Sequence, residues 1–509
     1  MILMLAPRRS VRSIRHSCKG RYMIKSIQAD VTSRVPKYNA VDRVLIPFIV
    51  AISFMMEQLD TTIVITALPK MADNFHTTAV SLNIAVTSYL LSLAVFMPMS
   101  GWAAERWGKR EVYMAALLVF TVGSILCACS NGPLSLSLMR MVQGFGGALM
   151  TPVGRLILLS SFERSELVKT MTYMSVPVVI GPLMGPVLGG FLVQYTNWRW
   201  IFLVNVPIGV GGILLTLWRV RPEMRRMPAP FDWIGFIICA AGMLLLQIGT
   251  ELLGRRSSMA WGGMLLAGGL AVTFLYSRRS IGARFPALDM GLMSIRTFRI
   301  GVLAGSLSRM GFSSIPFLLA LLLQLQFGFT PFRTGLLVFA ASFGAVIVRP
   351  LSSWLLRLLG FRTVLAFNSL VGAMTILPFT LMDGIGAQWK FVLAVIIFGI
   401  SRALQFTNLN TISFVDIPAD RLSRSTGLIG MAQQLSTGLG VALSAAMLNL
   451  MARGAHPDMS DFRTALYGSA SLVLLGMAGF LQLRQEDGAH TSGWRPRGRV
   501  LSRTVEGKK

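Results

Sequence analysis

Acidic side chains are scarce, with 21 Asp and Glu against 48 Lys and Arg in 509 residues. Cysteine and histidine are scarcer still, at four each. Cys18 lies in a basic N-terminal stretch and Cys127, Cys129 and Cys239 in apolar runs, so no disulfide framework or zinc spacing is available. Cys127 and Cys129 read as small packing residues. His16, His76, His456 and His490 all fall outside the apolar runs, which excludes a buried histidine relay and most metal sites. No cofactor is expected, and any proton traffic is left to carboxylates.

What the chain has instead is apolar length. It is 53% hydrophobic and 14% charged, and apolar runs long enough to cross a bilayer recur throughout. The expected fold class is an all-α integral membrane protein with fourteen spans. The formal charge of +27 raises nucleic acid as a partner, but topology accounts for it. With both termini cytoplasmic, 35 of the 48 basic residues fall on cytoplasmic segments, 8 on outer loops and 5 within spans. That bias is the positive-inside rule, so the lipid bilayer is the expected partner and nucleic acid is not.

The organisation follows from the charge runs. Residues 1–43 form a basic cytoplasmic tail, 44–218 six spans, 219–298 a Pro-broken basic linker with two extra spans, 299–483 six more spans, and 484–509 a second basic tail. A start at Met23 competes with Met1. A weak internal repeat supports two six-span halves: GWAAERWGKR (101–110) and SSWLLRLLGFR (352–362) align Gly108 with Gly360 and Arg110 with Arg362.

Glu57 and Asp60 are the two acids read as lying deep inside an apolar stretch, in the first span. A carboxylate at mid-bilayer costs roughly 3 kcal/mol even on lenient scales, and three residues apart the two share a helix face. Five arginines fall within spans. Arg155 and Arg349 sit toward span ends and can snorkel, whereas Arg140, Arg309 and Arg402 are deep. If these line one cavity with Gln143 and Asn408, it is neutral to positive and favours an organic anion or a neutral amphiphile.

Three motifs carry more specific information. The short turn Gly101, Glu105, Arg106, Gly108, Lys109, Arg110 places one acid among three basic groups, a charged latch that can break when helices move. SLMRMVQGFGGALMTP puts Arg140 one turn before Gln143 and Gly144. In PVVIGPLMGPVLGG, Gly181, Gly185 and Gly189 recur every fourth residue, with Gly190, Pro182 and Pro186 beside them, forming a flat strip for close helix contact with prolines that permit kinks. Together with LDTTIVITALP and NWRWIFLVNVPIG, these resemble the major facilitator superfamily, in its fourteen-span drug:proton antiporter branch of the EmrB/QacA type, over about residues 40–484. One departure is Ile65, where that branch often carries Asn.

The resemblance implies a proton-driven exporter of small organic compounds in a bacterial cytoplasmic membrane. Asp60 and Arg140 would serve in proton coupling, with Glu57 added on physical grounds alone. The short turn would act as a cytoplasmic gate and the glycine strip as the antiporter motif. An exporter of organic anions or metabolites, or a uniporter or importer of the same fold, is the alternative. A membrane enzyme would need a nucleophile, metal cluster or paired acids at a face, and none is found. An outer-membrane or adaptor partner stays open.

Overall fold

A computed structural model describes residues 39, 41–162, 164–222, 230–283, 286–381, 388–418, 421–452 and 457–492. Most of both expected tails, including the Met23 start, lies outside these residues, as do part of the 219–232 linker and the Arg349 side chain. The described residues form long helices joined by short turns: α1 (Asp42–Asn74), α2 (Ser81–Trp107), α3 (Lys109–Ala128), α4 (Pro133–Ser161), α5 (Arg164–Tyr195) and α6 (Trp200–Arg219). After them come α7 (Trp233–Leu253), α8 (Arg256–Gly282) and α9 (Arg296–Gln326). The run Pro331–Thr380 is broken at Gly360 into α10 (331–359) and α11 (361–380), followed by α12 (Gln388–Ile412), α13 (Leu422–Met451) and α14 (Met459–Phe480).

Among the described residues, eleven helical stretches are long and apolar enough to cross a membrane. Helices also occupy the other three expected positions, at α5, α10 and α14. The chain is thus an all-helical, multi-pass membrane protein, because only structures that satisfy their own backbone hydrogen bonds survive in hydrocarbon.

Local signals explain the helix ends. Pro133 and Pro331 open α4 and α10, where a missing N–H costs nothing. Asp232 caps α7 by accepting from the Gly235 N–H at 2.9 Å, and its other contacts tie α7 to α8 through Arg279 at 3.0 Å. Burial alone would push the Asp232 carboxyl up, but those bonds outweigh it and hold the group below the ordinary range. Gly108 (φ 97°) and Gly360 (φ 73°) both turn the chain with a left-handed backbone between two helices. The aligned repeat therefore has one geometric meaning in both copies.

In the first six helices, α1 packs on α4, α5 and α6, α2 on α4, and α3 on α4 and α6. Among the last six, α9 packs on α13 and α14, α12 on the α10–α11 run, and α14 on that run and on α13. The two sets meet along α5 with the α10–α11 run and along α2 with α13, while α7 pairs with α8 and leans on α13 and α2.

We call the end where α1 begins the near end. At the far end, the Phe332 N–H donates to Gln194 at 3.2 Å and Gln324 donates to the Thr66 carbonyl at 3.2 Å. Both bonds join the first set of helices to the last.

Candidate functional site

Asp60 is fully buried at the junction of α1, α3, α4 and α6. Arg140 Nη1 approaches its Oδ2 at 2.5 Å. Its Oδ1 accepts from Gln143 Nε2 at 2.9 Å and from Asn205 Nδ2 at 3.1 Å. Gln143 also donates to Ser124 Oγ at 2.8 Å and accepts from Arg140 at 2.7 Å, so each member fixes another. The Arg140 Nε donates to the Ala85 carbonyl at 3.0 Å, and its guanidinium lies 4.1 Å above the Tyr89 ring.

A charge pair this deep is tolerated only when its remaining lone pairs and protons are bonded. Two buried atoms here still lack a partner among the described residues: Arg140 Nη2 and Asn205 Oδ1. The network is dense but not saturated. Asn205, Ser124 and Tyr89 escaped the sequence reading, although Asn205 lies inside the quoted string NWRWIFLVNVPIG.

Glu57, one turn earlier on α1, is buried and accepts a short hydrogen bond from the Thr151 hydroxyl of α4. No ion pair reaches it among the described residues. Arg155 lies one further turn along α4, over the Phe54 ring at 5.6 Å. Both acids therefore face α4, as their spacing predicts, but they differ in company.

The three deep arginines do not share one cluster. Arg140 is bound to Asp60, whereas Arg309 on α9 and Arg402 on α12 meet at a different place, over the Phe406 ring at 4.2 and 5.5 Å. Gln143, expected in the cavity, belongs instead to the Asp60 network. Asn408 is fully buried and accepts from Ser352 at 2.7 Å, while its Nδ2 has no partner among the described residues.

Two further expectations fail. Glu105 is exposed and has no ion-pair partner among the described residues, while Arg110 turns away to the Leu217 carbonyl at 2.8 Å, at the near end of α6. Exposed charges on a short turn gain little from pairing, whereas a helix C-terminus offers unsatisfied carbonyls. Ion pairs do form elsewhere at the near end, among them Asp42 with Arg219, at 3.0 Å between α1 and α6. Cys127 packs as expected against Gln143, at 3.6 Å, but Cys129 is exposed at the helix end.

The glycine strip seats α5 directly on α1. A Cβ at Gly181 would lie 2.7 Å from the Met55 carbonyl oxygen, one at Gly189 would lie 2.6 Å from that of Ile63, and one at Gly185 would collide with Thr62. Gly190 faces the other way, against Pro331 and Phe332 of α10. Pro186 presents its carbonyl to Gly335 of the same helix. One edge of α5 thus touches the Asp60 helix and the other touches the last six helices.

The sequence reading placed no deep acid after Asp60, yet Glu251 near the far end of α7 is largely buried. It accepts from Thr87 at 2.9 Å, Asn83 at 3.3 Å and Gln247 at 3.4 Å. It stands near the end of its apolar run, shortly before Arg255 and Arg256, where an acid does not read as deep.

Residues 50–441 match the family model described as Major Facilitator Superfamily. A "Putative multidrug resistance protein MdtD" of Pectobacterium atrosepticum is 37% identical over 438 residues, covering 84% of this chain and 92% of that protein. One of the same name from Klebsiella pneumoniae subsp. pneumoniae is 34% identical, covering 87% and 95%. Among solved structures, a peptide transporter, POT, in complex with sulfate superposes with a TM-score of 0.67 at 13% identity, over 92% of this chain and 98% of that one. A bacterial homologue of the human lysosomal transporter Spinster, in an inward-facing conformation, gives 0.60 at 15% identity, over 90% and 100%. The structural likenesses carry the fold alone.

Proposed function

The chain belongs to the Major Facilitator Superfamily, and on that premise we propose that it exports small organic compounds by exchanging them for protons in an alternating-access cycle. The relatives' multidrug-resistance names support a broad, drug-like substrate range. The reading places the protein in a bacterial cytoplasmic membrane, with fourteen spans, both termini cytoplasmic and the near end facing the cytoplasm. The last six helices then rock against the first six while α7 and α8 ride beside them.

The observation that carries the coupling is the Asp60–Arg140 pair with its Gln143 and Asn205 donors. Protonating Asp60 cancels the charge that holds Arg140, and a neutral carboxyl no longer ties α1 to α4 and α6 with equal strength. Because α5 lies on α1 through glycines and on α10 through Gly190, a small shift of α1 reaches the seam between the two sets of helices. Glu57, held by a hydroxyl and no cation, is the second proton site on the same face.

The test is pH-driven export in everted vesicles. Asp60→Asn abolishes gradient-driven flux while the protein still folds, and Glu57→Gln lowers it with a shifted pH profile. Full activity in Asp60→Asn would refute the coupling role, and flux indifferent to an imposed pH gradient would favour the uniporter reading.

A further inference from the structure

The last six helices hold a second cluster that the proton chemistry does not use. Arg309 and Arg402 are half-buried near the middles of α9 and α12. Neither has an ion-pair partner among the described residues, and no acid occurs within α9 to α14 except Asp461, in the first turn of α14 at the far end. Both guanidiniums lean on one ring, Phe406, so their charged carbons are no farther apart than 4.2 and 5.5 Å laid end to end. Phe312 stands edge-on to the same ring at 6.1 Å. Arg309 also lines a cavity whose polar wall is Ser306, Asn410, Ser413 and Gln433, with Gln433 donating to Asn410 at 2.6 Å.

Two unneutralised cations at close range repel each other and are costly at membrane depth. A cation–π contact attracts each guanidinium to the ring, but the ring carries no net charge and so neutralises neither. Each guanidinium carries five donors in a fork that matches carboxylate, sulfonate or phosphate oxygens. An anion between them would relieve the repulsion and satisfy the donors, and the Phe406–Phe312 pair offers an apolar surface for an aromatic body.

We propose that Arg309, Arg402 and Phe406 form the anion subsite of the transport cavity, and that the substrate recognised there is an aromatic compound bearing one carboxylate or sulfonate. This rests on the export reading, which assigns the cavity to substrate, but its test does not need proton coupling.

The probes are radiolabelled naphthalene-1-sulfonate and its cationic counterpart of the same ring, naphthyl-trimethylammonium. Equilibrium binding to the purified full chain in zwitterionic-lipid nanodiscs should favour the sulfonate. Hydrogen bonds to charged groups are worth about 1.5–3 kcal/mol, so Arg309→Gln and Arg402→Gln should each weaken it about tenfold or more. Arg309→Lys, which keeps the charge but loses the fork, should retain part of the affinity. That variant keeps the outcome readable if a Gln variant fails to fold.

Equal binding of the two probes, or sulfonate affinity unchanged in both Gln variants, would overturn the proposal. Sulfonate binding abolished by phosphatidylglycerol would assign the site to lipid headgroups and overturn it as well. Intact pH-driven flux of a cationic dye with no sulfonate binding would sink this subsite and leave the export reading standing. Sulfonate binding without any coupled flux would do the reverse.

Discussion

At the residue scale the molecule separates its charges by company. Asp60 carries two amide donors and a full counterion, Glu57 a single hydroxyl, and Arg309 and Arg402 an aromatic ring. Removing one partner of a buried pair strands the other, which typically costs about 3–5 kcal/mol, whereas removing both is far milder. Arg140→Gln should therefore lower the thermal unfolding temperature in detergent sharply, and adding Asp60→Asn should recover most of the loss. If the double variant is as unstable as the single one, the pair is not what holds this junction. Asp60 and Arg140 were legible in the sequence because charged groups are costly in an apolar run, and Gln143 because it stands one turn after Arg140 in the same string. Asn205, Ser124, Tyr89 and Thr151 were not, since a lone neutral polar residue in a span is ordinary and only its neighbours across helices give it a role. Asn408 shows the converse, a deep amide singled out as a cavity candidate that lies fully buried between helices with Ser352 as its donor.

At the element scale the most informative contact is α5 on α1. Gly185 sits so close to Thr62 that any Cβ must displace the Thr62 side chain or the helix that carries it, and Thr62 is already tethered to the Gln58 and Leu59 carbonyls at 3.2 and 3.1 Å. Overpacking of this kind costs about 1–3 kcal/mol. Gly185→Ala should lower the unfolding temperature and slow export, Gly185→Val more so, and Thr62→Ala in the Gly185→Ala background should return part of both. No coupling between the two positions would mean that the strip tolerates separation. The strip itself was visible from a fourfold glycine spacing, but nothing in that spacing said which helix it met or that Gly190 would face α10. The Gly108–Gly360 alignment was also legible, and the positive φ at both explains why glycine recurs there. Pairing of the intervening charges was not, because short exposed turns do not specify which charge finds which partner.

At the scale of the whole molecule, the question is whether the far-end contacts between the two sets of helices form a gate. α5 meets α10 through Gln194 and Phe332, with Phe191 and Tyr195 each 6.1 Å from the Phe332 ring, and α9 reaches α1 through Gln324 and Thr66. On the side where α2 meets α13, α7 adds its own tie through Glu251 to Thr87 and Asn83. An alternating-access cycle must break the first group of contacts when the cavity opens outward, whereas static seams would stay closed throughout. A cysteine pair at Gln194 and Phe332, in a background with Cys18, Cys127, Cys129 and Cys239 replaced, tests this. A short thiol cross-link should stop pH-driven export and leave binding from the near end intact, and a reducible linker should restore export on reduction. The outcome depends on large-scale motion because neither residue touches Asp60, Glu57, Arg309 or Arg402 in any described contact. Undiminished export by the fully cross-linked protein would mean that this seam does not open, and the rocking axis would have to be sought elsewhere in the bundle.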